Sequence, residues 1–147
     1  MAIPPDRLNI RFTAPESAAP TAFARLLFGE APKRPHDFRV PLRQLGKAPR
    51  AELWTCPGPH DFHEGDGLQI ARSRDHCLVY ASVAEAGTGL RNLSRELYDA
   101  MLTGERLQDY PHIVKAWNYI AEINEGEADD ERYKQFCLGR GEVYDAL

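Results

Sequence analysis

The stretch Pro111–Leu147, PHIVKAWNYIAEINEGEADDERYKQFCLGRGEVYDAL, most constrains what this chain can fold into. It opens with an alternating aromatic segment, passes through an acidic turn and closes on a helical pattern with an arginine between two glycines. Ile113 to Ile120 reads as a strand with Ile113, Lys115, Trp117 and Tyr119 on one face and Val114, Ala116, Asn118 and Ile120 on the other. Neither face is plainly a solvent face, so cover on both sides is expected. Asp129, Asp130 and Glu131 suit the positive N-terminal end of a last helix. On that helix Tyr133, Phe136, Cys137 and Tyr144 form one stripe.

Upstream, residues 1 to 7 read as an arm and Leu8 to Phe12 as a short alternating strand. Pro15 to Pro20 is a loop. Phe23 to Phe28 (FARLLF) is an apolar run too short for periodicity to separate strand from helix. Ala31 to Arg50, with four prolines, is a long connection carrying a short strand near Phe38 to Val40. Ala51 to Cys56 is a strand and Pro57 to Gly67 a loop. Leu68 to Arg72 and Cys77 to Val83 form a hairpin around SRDH. Leu90, Leu93, Leu97 and Met101 mark an amphipathic helix from Leu90 to Leu102, with Thr88 as its N-cap and Gly104 as its stop. The order predicts an α+β fold, a sheet with helices on one face. Residues 1–50 form an N-terminal part of strands and a Pro-rich connection, and residues 51–147 the main α+β part. Nothing after the last helix pairs with the sheet edge or finishes packing that helix, so an incomplete fold is expected.

The 147 residues suit about one soluble domain. No apolar run is long enough for a membrane span, and the N-terminus does not read as a signal peptide. Cys56, Cys77 and Cys137 lie far apart with no CxxC pair, which predicts reduced thiols and a cytoplasmic setting. The net charge of -4 hides an asymmetry, +5 over residues 1–50 and -9 over the rest. The basic residues stand singly among prolines without a recognition motif, so nucleic acid is not an expected partner.

Three constellations could carry chemistry. Arg140, at i+7 from Tyr133 and i+4 from Phe136, places a guanidinium on the apolar stripe between Gly139 and Gly141. Such an arginine grips a carboxylate, from a ligand or from the protein itself. Two glycines inside a helix cost about 1 kcal/mol each, so a ligand or another backbone is expected to come close, unless they mark a frayed end. Trp117, Asn118 and Tyr119 could line a pocket for a ring-shaped anion, or pack a sheet around one satisfied amide. His60, Asp61, His63 and Glu64 offer metal-ligand chemistry in an HxxHE spacing that matches no helical metal motif, which favours a solvated loop. No metal site is expected. Cys137 reads as core.

Val114 with Trp117-Asn118-Tyr119, then Ile123-Asn124, Tyr133, Phe136-Cys137 and Gly139-Arg140, resemble the chorismatase family. The likeness is to bacterial hydroxybenzoate synthases that supply xanthomonadin pigment and ubiquinone precursors. Leu53-Trp54 and the hairpin from Gly67 to Val83 fit less specifically. Proteins of this family have also been labelled pteridine-dependent dioxygenase-like; no iron-ligand triad here supports that label. The resemblance implies a RidA (YjgF), chorismate-mutase-like fold. It implies chorismate as substrate and cleavage of its enolpyruvyl ether to pyruvate and 3- or 4-hydroxybenzoate, with no cofactor. It also implies a longer protein whose catalytic acid lies in a C-terminal half that has no counterpart here, so this chain alone is expected to be inactive. Arg140, Tyr133, Asn118, Tyr119 and Trp117 are the expected substrate-binding residues. A freestanding RidA-like imine deaminase and a non-catalytic binding or assembly module are the alternatives.

Overall fold

A computed structural model describes residues 8–17, 22–42, 50–85, 87–104 and 107–147. The arm at residues 1–7, residues 18–20 of the first loop and most of the Pro-rich connection, residues 43–49, lie outside the described residues. By its contacts the chain forms two compact units, Met1–Tyr80 and Ala81–Leu147.

The first unit is β-structure. Strands β1 (Asn9–Thr13), β2 (Ala22–Phe28), β3 (Asp37–Val40) and β4 (Ala51–Thr55) form a sheet ordered β1-β4-β2-β3. β4 runs antiparallel to β1 and β2, and β3 runs parallel to β2. β4 thus lies beyond the sequence division at residue 50 yet pairs with strands before it. β5 (Asp61–Gly65), β6 (Leu68–Arg72) and β7 (Cys77–Ala81) form a second sheet in chain order. The expected single sheet is therefore two. Phe23, Ala24, Leu26, Phe38, Val40, Trp54 and Cys56 bury a core that takes in Ala71, with Phe62, Leu78 and Tyr80 packed against it. FARLLF is a strand because both of its faces are buried.

Pro57–Gly67 is not all loop. Asp66 and Gly67 both adopt positive φ (54° and 77°), the geometry of a tight two-residue hairpin turn. The turn sets Asp61 opposite Arg72 and Glu64 opposite Gln69. Both pairs are bonded across the strands, which offsets the poor strand propensity of β5.

Arg25 lies inside the apolar run of β2 and is 2% exposed. Its Nε and one terminal nitrogen donate to the two carboxylate oxygens of Asp37, each at 2.8 Å. Asp37 also accepts from the backbone N–H groups of Lys33 and Arg34. Burial alone would push the Asp37 carboxyl up. The hydrogen bonds from Arg25 and Lys33 and the charge of Arg25 outweigh it, and the pKa lies below its ordinary value.

The second unit holds α1 (Leu90–Leu102) and α2 (Arg132–Tyr144). α1 has the expected bounds, but its N-cap is Gly89, at φ 76°, and not Thr88. The buried row is rotated from the leucine row: Ser94 and Tyr98 are buried, with Leu90 and Leu102 beside them, while Leu93, Leu97 and Met101 are half-buried. Asp129 and Asp130 fall in a short 3-10 turn, Ala128–Asp130, and α2 starts after Glu131. Its buried face is Phe136, Gly139 and Val143, and Tyr133 is 54% exposed. Ile113 to Ile120 is irregular rather than a strand, and all but Ile120 is exposed. A strand needs a hydrogen-bonded neighbour, and among the described residues none pairs with it.

Candidate functional site

The second unit is built around the crossing of α1 and α2. Gly139 makes the crossing possible. A Cβ there would lie 2.0 Å from the carbonyl oxygen of Arg91 and 3.0 Å from Cβ of Ser94. The close approach expected at this glycine is made by another backbone. Gly141 faces open space, with nothing within 4 Å of a Cβ.

Tyr98, which the leucine pattern did not single out, links the expected site residues. Its hydroxyl donates to Oδ1 of Asn118 at 2.9 Å, so the amide finds its partner on α1 although Asn118 itself is exposed. The Tyr98 ring meets Phe136 edge-on at 6.1 Å between centroids and Tyr144 at 5.8 Å. Arg140 lies over the Phe136 ring at 5.2 Å, a cation–π contact worth about 0.5–1 kcal/mol when exposed. Asn118, Tyr98, Phe136 and Arg140 are thus connected side chain to side chain. Arg140 is half-buried, and among the described residues no carboxylate comes within ion-pair distance of it.

Trp117 lies under the ammonium of Lys115, 4.6 Å from the ring centroid. Trp117, Tyr119 and Tyr133 are otherwise exposed and stand outside the buried cluster of Tyr98, Phe136 and Val143.

A groove of about 580 Å³ opens between the N-terminal turn of α1 and α2. None of the five expected residues lines it. Its charged lining is Arg91, Arg95, Arg132, Glu85, Glu142 and Asp130. Arg91 bonds Glu142 through Nε at 2.7 Å, and Arg95 approaches the other oxygen at 3.8 Å. Arg132 grips Glu85 with two nitrogens, at 2.7 and 3.3 Å, and holds its carboxyl below the ordinary pKa. Arg132 also donates to the Ala121 carbonyl, fastening the segment before the acidic turn. The sequence signal for this network was the i, i+4 spacing of Arg91 and Arg95, which leaves two cations on one helix face seeking acids elsewhere.

His60, Asp61, His63 and Glu64 do not converge. His60 contacts the buried Cys56, 3.3 Å from Sγ, and Asp61 pairs with Arg72 across the hairpin. Among the described residues no three His, Cys, Asp or Glu side chains are grouped to hold a metal ion. Burial pushes the Cys77 thiol up to about 11 and raises that of Cys56. Neither is an activated nucleophile.

Comparison with known proteins puts these features in a family. Residues 52–147 match the family model described as chorismatase FkbO/Hyg5-like, N-terminal. A chorismatase of Streptomyces rapamycinicus is 35% identical over 100 residues, covering 65% of this chain and 29% of the relative. A 3-hydroxybenzoate synthase of Streptomyces hygroscopicus is 29% identical over 100 residues, covering 66% and 28%. A crystal structure of a chorismatase superposes with a TM-score of 0.80 at 22% identity, over 99% of this chain and 47% of that one. The chain spans less than a third of these curated relatives. The match covers more than half of its residues, and the chain belongs to the FkbO/Hyg5-like chorismatase family, whose N-terminal part it represents.

Proposed function

We propose that this chain is the N-terminal part of an enzyme that cleaves the enolpyruvyl ether of chorismate, releasing pyruvate and a hydroxybenzoate. The family match over residues 52–147 carries this reading. The relative named as a 3-hydroxybenzoate synthase supports the 3-isomer as product. Release of 4-hydroxybenzoate, and a role in aryl polyene pigment and ubiquinone synthesis, rest on the sequence resemblance alone. The reaction needs a carboxylic acid to protonate the enolpyruvyl methylene. We assign that acid to the part of the protein beyond residue 147.

Within this chain Arg140 is the proposed carboxylate clamp. It is held against Phe136 and has no protein acid of its own among the described residues. Tyr133, Asn118, Tyr119 and Trp117 are the proposed neighbours of the bound ring. The mixed α and β structure is compatible with a RidA-like fold whose strands before residue 50 belong to it, since β4 pairs with β1 and β2, and the unpaired cysteines support a cytoplasmic setting. The test is pyruvate release from chorismate by the full-length protein, with Arg140→Lys beside it. A loss of chorismate affinity without a change in melting is expected. Unchanged kinetics would remove Arg140 from the site.

A further inference from the structure

His36 stands just before β3, and its Nε2 is sealed from solvent without a hydrogen-bond partner. Among the described residues no other buried side-chain nitrogen or oxygen is left unpaired. Native proteins seldom bury a polar atom this way, so the atom calls for a reason. The neighbouring acid is occupied. Asp37 receives four N–H bonds, two from Arg25 and one each from the backbones of Lys33 and Arg34. The other groups that act on the ring are Arg25 from β2, Arg34 from the preceding turn and His60 from the segment before β5, and all three disfavour a positive charge there. A neutral imidazole can leave Nε2 without a proton. An imidazolium cannot, because both of its ring nitrogens carry one. Protonation in place buries an N–H that has no acceptor, close to two guanidinium groups. Burial is the largest influence on the ring and exceeds the opposing pull of Asp37, so the pKa lies below the ordinary histidine value.

The same residue is part of the joint between β2 and β3. Its carbonyl accepts from the Arg25 N–H at 2.8 Å, and the turn behind it closes through the Asp37 N–H to the Arg34 carbonyl at 3.0 Å. β3 is four residues long and lies at the edge of its sheet, with β2 as its neighbour. We propose that His36 is an acid latch on this edge: neutral, it leaves the Arg34–Asp37 turn closed, and protonated, it swings out to water and loosens β3 from β2. Opening uncovers Phe38, which is wholly buried and meets Phe62 and Tyr80 edge-on. The open form takes up the proton more readily than the closed one. Closure is therefore complete above the ordinary histidine value, near pH 6.5, and weakens by up to about tenfold per pH unit below it, until the value in the closed form is reached. Asp37 acts in a separate window, below about pH 4. The latch does not depend on chorismate as substrate.

Hydrogen–deuterium exchange on the full-length protein from about pH 7.5 to about pH 5, corrected for the intrinsic pH dependence of amide exchange, tests it. Protection of the Asp37 to Val40 amides is expected to fall by up to about tenfold per pH unit below about pH 6.5. His36→Gln and His36→Leu cannot take up the proton and are expected to keep their protection flat over that range. His63→Gln, on β5, is expected to respond as the wild type does. Flat protection in the wild type overturns the inference, and this arm needs no variant. The same fall in His36→Gln or His36→Leu overturns it too, because another group then carries the response. Ring-proton NMR of the wild type gives a second readout that is independent of folding in the variants. The His36 signal is expected to titrate below about pH 6.5, and a midpoint at or above that value overturns the latch.

Discussion

The hydroxyl of Tyr98 donates to Oδ1 of Asn118 at 2.9 Å, tying the irregular aromatic segment to the first helix of its unit. Tyr98→Phe keeps the ring against Phe136 and removes only this bond. The expected loss is about 0.5–1.5 kcal/mol in denaturant unfolding. No loss would mean that solvent replaces the bond at no cost.

Gly139 and Gly141 flank one arginine but differ in surroundings. Gly139→Ala drives a methyl group into the Arg91 carbonyl and is expected to destabilise by at least about 1–3 kcal/mol. Gly141→Ala meets open space and gains helix propensity, so it is expected to stabilise by up to about 1 kcal/mol. Thermal melting of the two variants separates them, and equal effects would contradict the crossing geometry.

Removal of one partner from the buried Arg25–Asp37 pair, as in Arg25→Met, is expected to cost about 3–5 kcal/mol, because the remaining charge stays buried. The Asp37 pKa is depressed in the folded state. Its contribution is therefore complete above the unfolded carboxylate value, near pH 4, and is lost as pH falls through the folded value. Wild type minus Asp37→Asn, followed by unfolding from pH 7 to pH 2, should show a difference that shrinks only below about pH 4. A constant difference would contradict it.

Cys77, with its thiol pushed up to about 11, is almost wholly protonated at neutral pH. Its alkylation at pH 7.5 is expected to be at least about tenfold slower than that of a free thiol. Mass spectrometry after timed iodoacetamide treatment reads this directly, and rapid labelling of Cys77 would show that the hairpin opens.

What the sequence revealed follows how local each determinant is. Leu90 to Leu102 was legible to the residue because helix periodicity and the glycines around it are local. The facing row was not, since Ser94 lies against Gly139 and Tyr98 against Phe136 and Tyr144, all on another helix. β5 was hidden by its polar residues, although Asp66-Gly67 carried the hairpin signal. Arg25 was passed over inside an apolar run because its partner lies twelve residues away. Ile113 to Ile120 has the pattern of a strand, but pattern supplies no neighbour. Among the site residues, Asn118 and Arg140 join one contact path, while Trp117, Tyr119 and Tyr133 stay exposed.

Pyruvate release from chorismate tests the account most directly. The full-length protein is expected to produce pyruvate and a hydroxybenzoate in equal amounts, and residues 1–147 alone to produce neither. A full-length protein that releases no pyruvate, or a 147-residue chain that matches its rate, would contradict the account.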